Sequence, residues 1–140
     1  MLNFENCSNQ VKIANFKRRN QMTDKVVIVI SVGLDNPNRS TRGIHLATVA
    51  QKKGKDVKVF LLDDAVFVAK EGLAENLYAA TGDSAADLLL HLQEFEVPIL
   101  VCTPCAQARK ITQDDLIEGA RFATASELID FTGDHAVISL

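Results

Sequence analysis

With 140 residues, 47% of them hydrophobic and 24% charged, the chain has the composition of one globular domain. That length buries a core large enough to fold without a disulfide scaffold or a metal. A net charge of −3 gives no electrostatic case for a nucleic-acid or membrane-surface partner, and no apolar run approaches the roughly 18 residues of a membrane helix.

Residues 1–24 form a polar extension, Asn- and Lys/Arg-rich and without periodicity. It lacks the apolar centre of a signal peptide, so the expected location is cytoplasmic. Its basic run Lys17-Arg18-Arg19 has no aromatic platform beside it, and Cys7 within it is assigned no role. Met22 directly precedes the first strand and is an alternative start to a genuine extension.

Residues 25–140 alternate between strand and helix patterns. The β-branched run Val26–Ile30 reads as a strand buried on both faces. Asn36 caps a helix that begins at Pro37, runs through Ile44, Ala47 and Ala50, and stops at Gly54. Val57–Leu62 is a second strand, followed by a short helical piece over Ala65–Lys70 that Gly72 ends. Residues 73–83 read as a loop. Ser84 and Asp87 have capping-box spacing ahead of the helix carrying Leu88–Leu90 and Leu92. Val97–Cys102 is the third strand. Thr112 and Asp115 mark another cap, Ala120–Ala123 a short strand, Thr124 and Glu127 a cap on a helix over Ala125–Phe131, and Ala136–Leu140 a last strand. Such alternation implies βαβ units with right-handed crossovers, hence an α/β fold: a three-layer α/β/α sandwich on a mainly parallel sheet of about five strands. Strand order is not readable from the sequence.

The chemistry concentrates in Cys102-Thr103-Pro104-Cys105, where an apolar strand ends. In parallel sheets the carboxyl ends of strands are where ligands and reactive groups gather. A thiol there that faces solvent, near helix-terminal amides and cations, ionises below its usual range, and Arg109 and Lys110 follow closely. The functional reading makes Cys102 the nucleophilic or sulfur-carrying thiol and Cys105 a resolving or auxiliary one. The plainer reading is two small buried hydrophobes at a strand end.

Several other cysteine chemistries fail on spacing. The tetrad looks like that of thioredoxin, but no Trp precedes it and no proline follows Pro104. A Cys-x5-Arg anion loop does not fit, because six residues separate Cys102 from Arg109. A structural zinc site needs four ligands, and only Cys7 and three scattered histidines remain, so no metal is expected. His45, His91 and His135 read as helix or loop residues. His45 is the best catalytic base of the three, because its helix starts at the reactive edge. Gly33–Gly43 matches neither a dinucleotide fingerprint nor a P-loop, and no cofactor is expected. Asp63 and Asp64 end the second strand at the same sheet edge as Cys102. With Asn36, Asn38 and Arg39 they either line a polar binding pocket or are ordinary solvated loop residues.

Three segments together resemble the DsrE/DsrF-like family, which includes the DsrE and TusD sulfur-relay proteins. They are Ile99–Ile111, Val59–Val66, and the ending from Gly119 to Ile138. The resemblance covers residues 25–140. It implies a persulfide on Cys102, passed between donor and acceptor proteins, with Cys105 matching an additional cysteine of some DsrE-like members. Lys110 stands where the family often has glycine, a departure bearing on the loop behind the nucleophile. The resemblance also implies a homo-oligomer, a trimer or hexamer, for which Leu73, Leu77 and Tyr78 offer an interface or alternatively core. Three functions follow: a sulfur carrier or sulfurtransferase, a thiol-disulfide redox switch, and a small-ligand or protein-binding module with incidental cysteines.

Overall fold

The computed structural model describes residues 24–140, together with the single position Gln10. Cys7, the Lys17–Arg19 run and Met22 lie outside the described residues.

Five strands make one sheet: β1 (Lys25–Ile30), β2 (Asp56–Leu61), β3 (Ile99–Cys102), β4 (Ala120–Ala123) and β5 (Ala136–Ser139). Their order is β4-β3-β2-β1-β5, and every pairing is parallel. The three inner strands are those with near-continuous apolar sequence. Val27, Ile28, Ile30, Val59, Phe60, Leu61, Ile99 and Val101 are fully buried. Each such side chain contributes about 1.5–3 kcal/mol when removed from water.

Between the strands run α1 (Pro37–Lys52), α2 (Ala85–Glu94), α3 (Thr103–Ala108) and α4 (Ala125–Phe131). The caps act as the sequence suggests. Asn36 Oδ1 accepts from the Arg39 amide (3.2 Å), Ser84 Oγ from that of Asp87 (3.3 Å) and Thr124 Oγ1 from that of Glu127 (3.3 Å). Helices cover both faces of the sheet. Ile30 abuts α1 so closely that a Cβ on Gly43 would lie 2.6 Å from its Cδ1, which puts α1 on the Val26, Ile28 and Ile30 face. α2 joins it there, with His91 Nε2 2.7 Å from Gln51 Oε1. The register sets Lys58 beside Val27, on the opposite face, where its ammonium lies 5.3 Å from the Phe131 ring of α4. The first three crossovers step outward along the sheet and the last steps back past β1. Right-handed connections therefore place α4 opposite α1.

Two local expectations are corrected. The segment after β2 is a 3-10 helix over Asp63–Ala69, starting two residues earlier than the helical piece read from the sequence. Thr112 and Asp115 form a complete capping box, but on a single 3-10 turn, Gln113–Asp115, with no α-helix behind it. The helix in that crossover is α3, six residues directly after Cys102. Leu77 is core at 1% exposure, while Tyr78 is exposed. Among the described residues no helix is long and apolar enough to cross a membrane.

Candidate functional site

β3 ends at Cys102, whose backbone carries the chain into α3, so the two cysteines bracket the first turn of that helix. Both thiols are free. Cys102 is only 5% exposed and Cys105 is half-buried. Cys105 lies one helical turn on and is near enough to influence the titration of Cys102. Thr103 Oγ1 donates to the Ala123 carbonyl (2.9 Å), fastening the start of α3 to the end of β4.

Cys102 is the opposite of the readily ionised thiol anticipated from the sequence. Burial pushes it up from an ordinary 9.0 to about 11. The Cys105 thiol and the Asp63 charge contribute in the same direction, and the Cys105 backbone amide at the start of α3 opposes them without reversing the shift. The cation expected to lower it is committed elsewhere. Arg109 Nε and Nη2 both meet Asp64 Oδ1, at 2.9 and 2.8 Å, and Nη1 donates to the Cys105 carbonyl at 3.0 Å. Arg109 therefore ties the end of α3 to the turn after β2 and spends its charge on Asp64. Lys110 is exposed, with φ 60. That left-handed backbone accounts for the glycine expected there.

The two aspartates have different surroundings. Asp64 is half-buried under Arg109, whereas Asp63 is exposed, with its Oδ1 4.0 Å from Cys105 Sγ. Asp63 has φ 46, an uncommon conformation for a residue with a side chain. Gly33 supports this turn: a Cβ there would lie 2.3 Å from the Asp64 carbonyl oxygen, so only glycine permits the approach. The sequence offers no signal for this contact beyond the glycine itself.

Asn36 and Arg39 do not join the thiols. With Asn38, Arg42 and Leu140 they line a separate groove of about 390 Å³ at the start of α1, which includes neither cysteine nor either aspartate. Asn36 is occupied as the helix cap and Asn38 Oδ1 accepts from the Ala80 amide (2.6 Å). The anticipated single polar pocket is thus two neighbouring features. His45 faces Asp83 at 3.6 Å, away from the cysteines in its contacts, and His135 sits between Asp134 and Lys58. Among the described residues no group of three or more His, Cys, Asp or Glu side chains is arranged to hold a metal ion.

The family model that describes the DsrE/DsrF-like proteins matches residues 24–140. This chain belongs to the DsrE/DsrF-like family. Two relatives match most of the chain in sequence. The uncharacterized protein MK0008 of Methanopyrus kandleri is 30% identical over 77% of this chain and 86% of its own length. The uncharacterized protein MJ0989 of Methanocaldococcus jannaschii is 33% identical over 76% and 90%. Among solved structures, the Escherichia coli ychN protein superposes with a TM-score of 0.72 at 25% identity, covering 85% of this chain and all of that one. MTH1491 of Methanobacterium thermoautotrophicum gives 0.62 at 16% identity over 83% and 98%, a likeness of fold.

Proposed function

We propose that this protein is a sulfur carrier that holds a persulfide on Cys102. The observation that carries the reading is the meeting of two free thiols at the carboxyl end of β3, in a chain of the DsrE/DsrF-like family. In the loading step the Cys102 thiolate attacks the outer sulfur of a donor persulfide, R–S–SH. The new sulfur–sulfur bond forms as the donor's breaks, and the donor leaves as R–S⁻ and takes up the proton that Cys102 lost. Sulfur changes hands without net oxidation. A thiol that is 5% exposed suits the product, because a shielded persulfide meets few stray reductants.

Delivery has two routes from this geometry. An acceptor thiolate attacks the carried sulfur and regenerates Cys102. Alternatively, the Cys105 thiolate attacks Cys102 Sγ, expels hydrosulfide and leaves a Cys102–Cys105 disulfide, which an external dithiol then reduces. The placement of two free thiols at the two ends of one helical turn also supports a reversible thiol-disulfide switch without sulfane chemistry, which a redox titration of the pair would reveal. The sulfur-carrier reading includes donor and acceptor proteins, a cytoplasmic setting and a homo-oligomer, trimer or hexamer.

The test mixes reduced protein with a cysteine desulfurase and cysteine, followed by intact and peptide mass spectrometry. The expected result is one added sulfur atom on Cys102, removable by reductant and absent in Cys102→Ser. Loading that survives in Cys102→Ser overturns the assignment.

A further inference from the structure

We propose that Asp63 is an electrostatic gate on the thiol pair, slowing anionic sulfur donors and favouring donors that carry a positive charge beside their persulfide. The donor class rests on the sulfur-carrier reading. The gate itself is a property of the thiols and is measured without sulfur.

The argument starts from the unequal treatment of two adjacent carboxylates. Asp64 is neutralised by two Arg109 nitrogens on one oxygen. Among the described residues no cation lies within ion-pair distance of Asp63, although its Oδ1 is 4.0 Å from Cys105 Sγ. Arg109 Nη1 donates to the Cys105 carbonyl, and no Arg109 nitrogen lies within ion-pair distance of Asp63. Of the charged groups these contacts bring together, Asp63, Asp64 and Arg109 sum to one negative charge, and it sits on Asp63.

The position of that charge is held by the backbone. Leu62 N donates to the Ile30 carbonyl (2.8 Å) and Ala65 N to that of Leu62 (2.9 Å), bracketing the left-handed Asp63. A non-glycine residue there costs about 1 kcal/mol. The fold tolerates it and presents the carboxylate at the mouth of the site, beside the more accessible of the two thiols. An approaching anion meets repulsion within a few ångströms of the sulfur it must reach. A cation meets attraction and, once docked, cancels the charge. Asp63 is exposed, so solvent and salt weaken the field and the effect is severalfold rather than absolute.

The test uses three alkylating reagents at neutral pH and low salt: iodoacetate, iodoacetamide and 2-bromoethylamine, with modification of Cys105 followed by peptide mass spectrometry. Each rate is divided by that for N-acetylcysteine amide, which removes the intrinsic reactivity of the reagent. The wild-type protein is expected to show an iodoacetate-to-iodoacetamide ratio about three- to tenfold below the reference thiol, and a bromoethylamine ratio above it. Asp63→Asn, whose side chain tolerates the left-handed backbone, brings both ratios to the reference, whereas Asp63→Glu keeps them displaced. A wild-type ratio equal to the reference overturns the gate, as does an unchanged ratio in folded Asp63→Asn. If Asp63→Asn does not fold, the wild-type ratios and their collapse in high salt decide the matter. A second arm compares loading from cysteamine persulfide and from 3-mercaptopropionate persulfide. Faster loading from the cationic donor supports the donor class. Charge-selective alkylation without loading from either donor keeps the gate and removes the sulfur-carrier reading.

Discussion

The burial of Cys102 makes a quantitative claim about stability in alkali. Its thiol titrates at about 11 in the folded chain against an ordinary 9.0. The unfolded chain therefore releases this proton at lower pH, and folding is penalised as pH rises. The contribution is fully present below pH 9, falls between the two values, and is exhausted above about pH 11. Over the interval from about pH 8 to about pH 10 the expected loss from this one group is about 1 kcal/mol, rising to about 3 kcal/mol once both states are ionised. The pH step acts on the whole protein, so the measured quantity is a difference of differences. Urea unfolding is followed with a reductant present at both pH values, for the wild type and for Cys102→Ala. The variant loses stability at both from the cavity it creates, and that loss cancels. Wild type should lose about 1 kcal/mol more than Cys102→Ala over this pH step. Equal pH dependence in the two proteins would refute the claim that the Cys102 thiol is held protonated by its surroundings.

Three other substitutions follow from single contacts. Gly33→Ala forces a Cβ against the Asp64 carbonyl and should cost about 2 kcal/mol or more in a denaturation experiment, with altered alkylation of Cys105 because the aspartate turn must shift. Lys110→Gly relieves a left-handed backbone at φ 60 and should raise stability by about 0.5–1 kcal/mol in the same assay. Asp64→Asn removes the carboxylate charge under Arg109 and, for a half-buried pair, should destabilise by about 1 kcal/mol in urea unfolding.

Much of this arrangement is written locally in the chain. Asn36 before Pro37, and Thr124 with Glu127, place their helices because a cap acts over three or four residues and leaves a visible pattern. The β-branched and apolar runs reveal β1, β2 and β3 because strands buried on both faces need no alternation. α3 is hidden by its size: six residues, Thr103-Pro104 among them, show no helical period. The Thr112–Asp115 box misleads for a related reason. Its hydrogen bonds close over one turn, whatever lies beyond, and the turn is 3-10. The site is legible as a place and not as an environment. Cys102 and Cys105 at a strand end are evident from their sequence neighbours. The depth of Cys102, and the pairing of Arg109 with an aspartate 45 positions earlier, depend on β2 lying beside β3. Strand order, which decides that adjacency, has no local signature.

The position of β5 has a consequence for how the chain assembles. β1 is the first strand of the sheet in sequence and the second-to-last in space, and its outer neighbour is separated from it by more than a hundred positions, as in the Lys25–Asp134 contact. Until residues 136–139 are in place, the outer edge of β1 is an open row of peptide groups flanked by some of the most apolar residues of the protein. During synthesis, the elements that build the thiol edge leave the ribosome well before the segment that seals the opposite side. The ordering entropy of this last, long-range ladder makes it the natural slow step of folding. The interval before it closes is when a nascent chain of this topology is most exposed to strand-pairing with its neighbours.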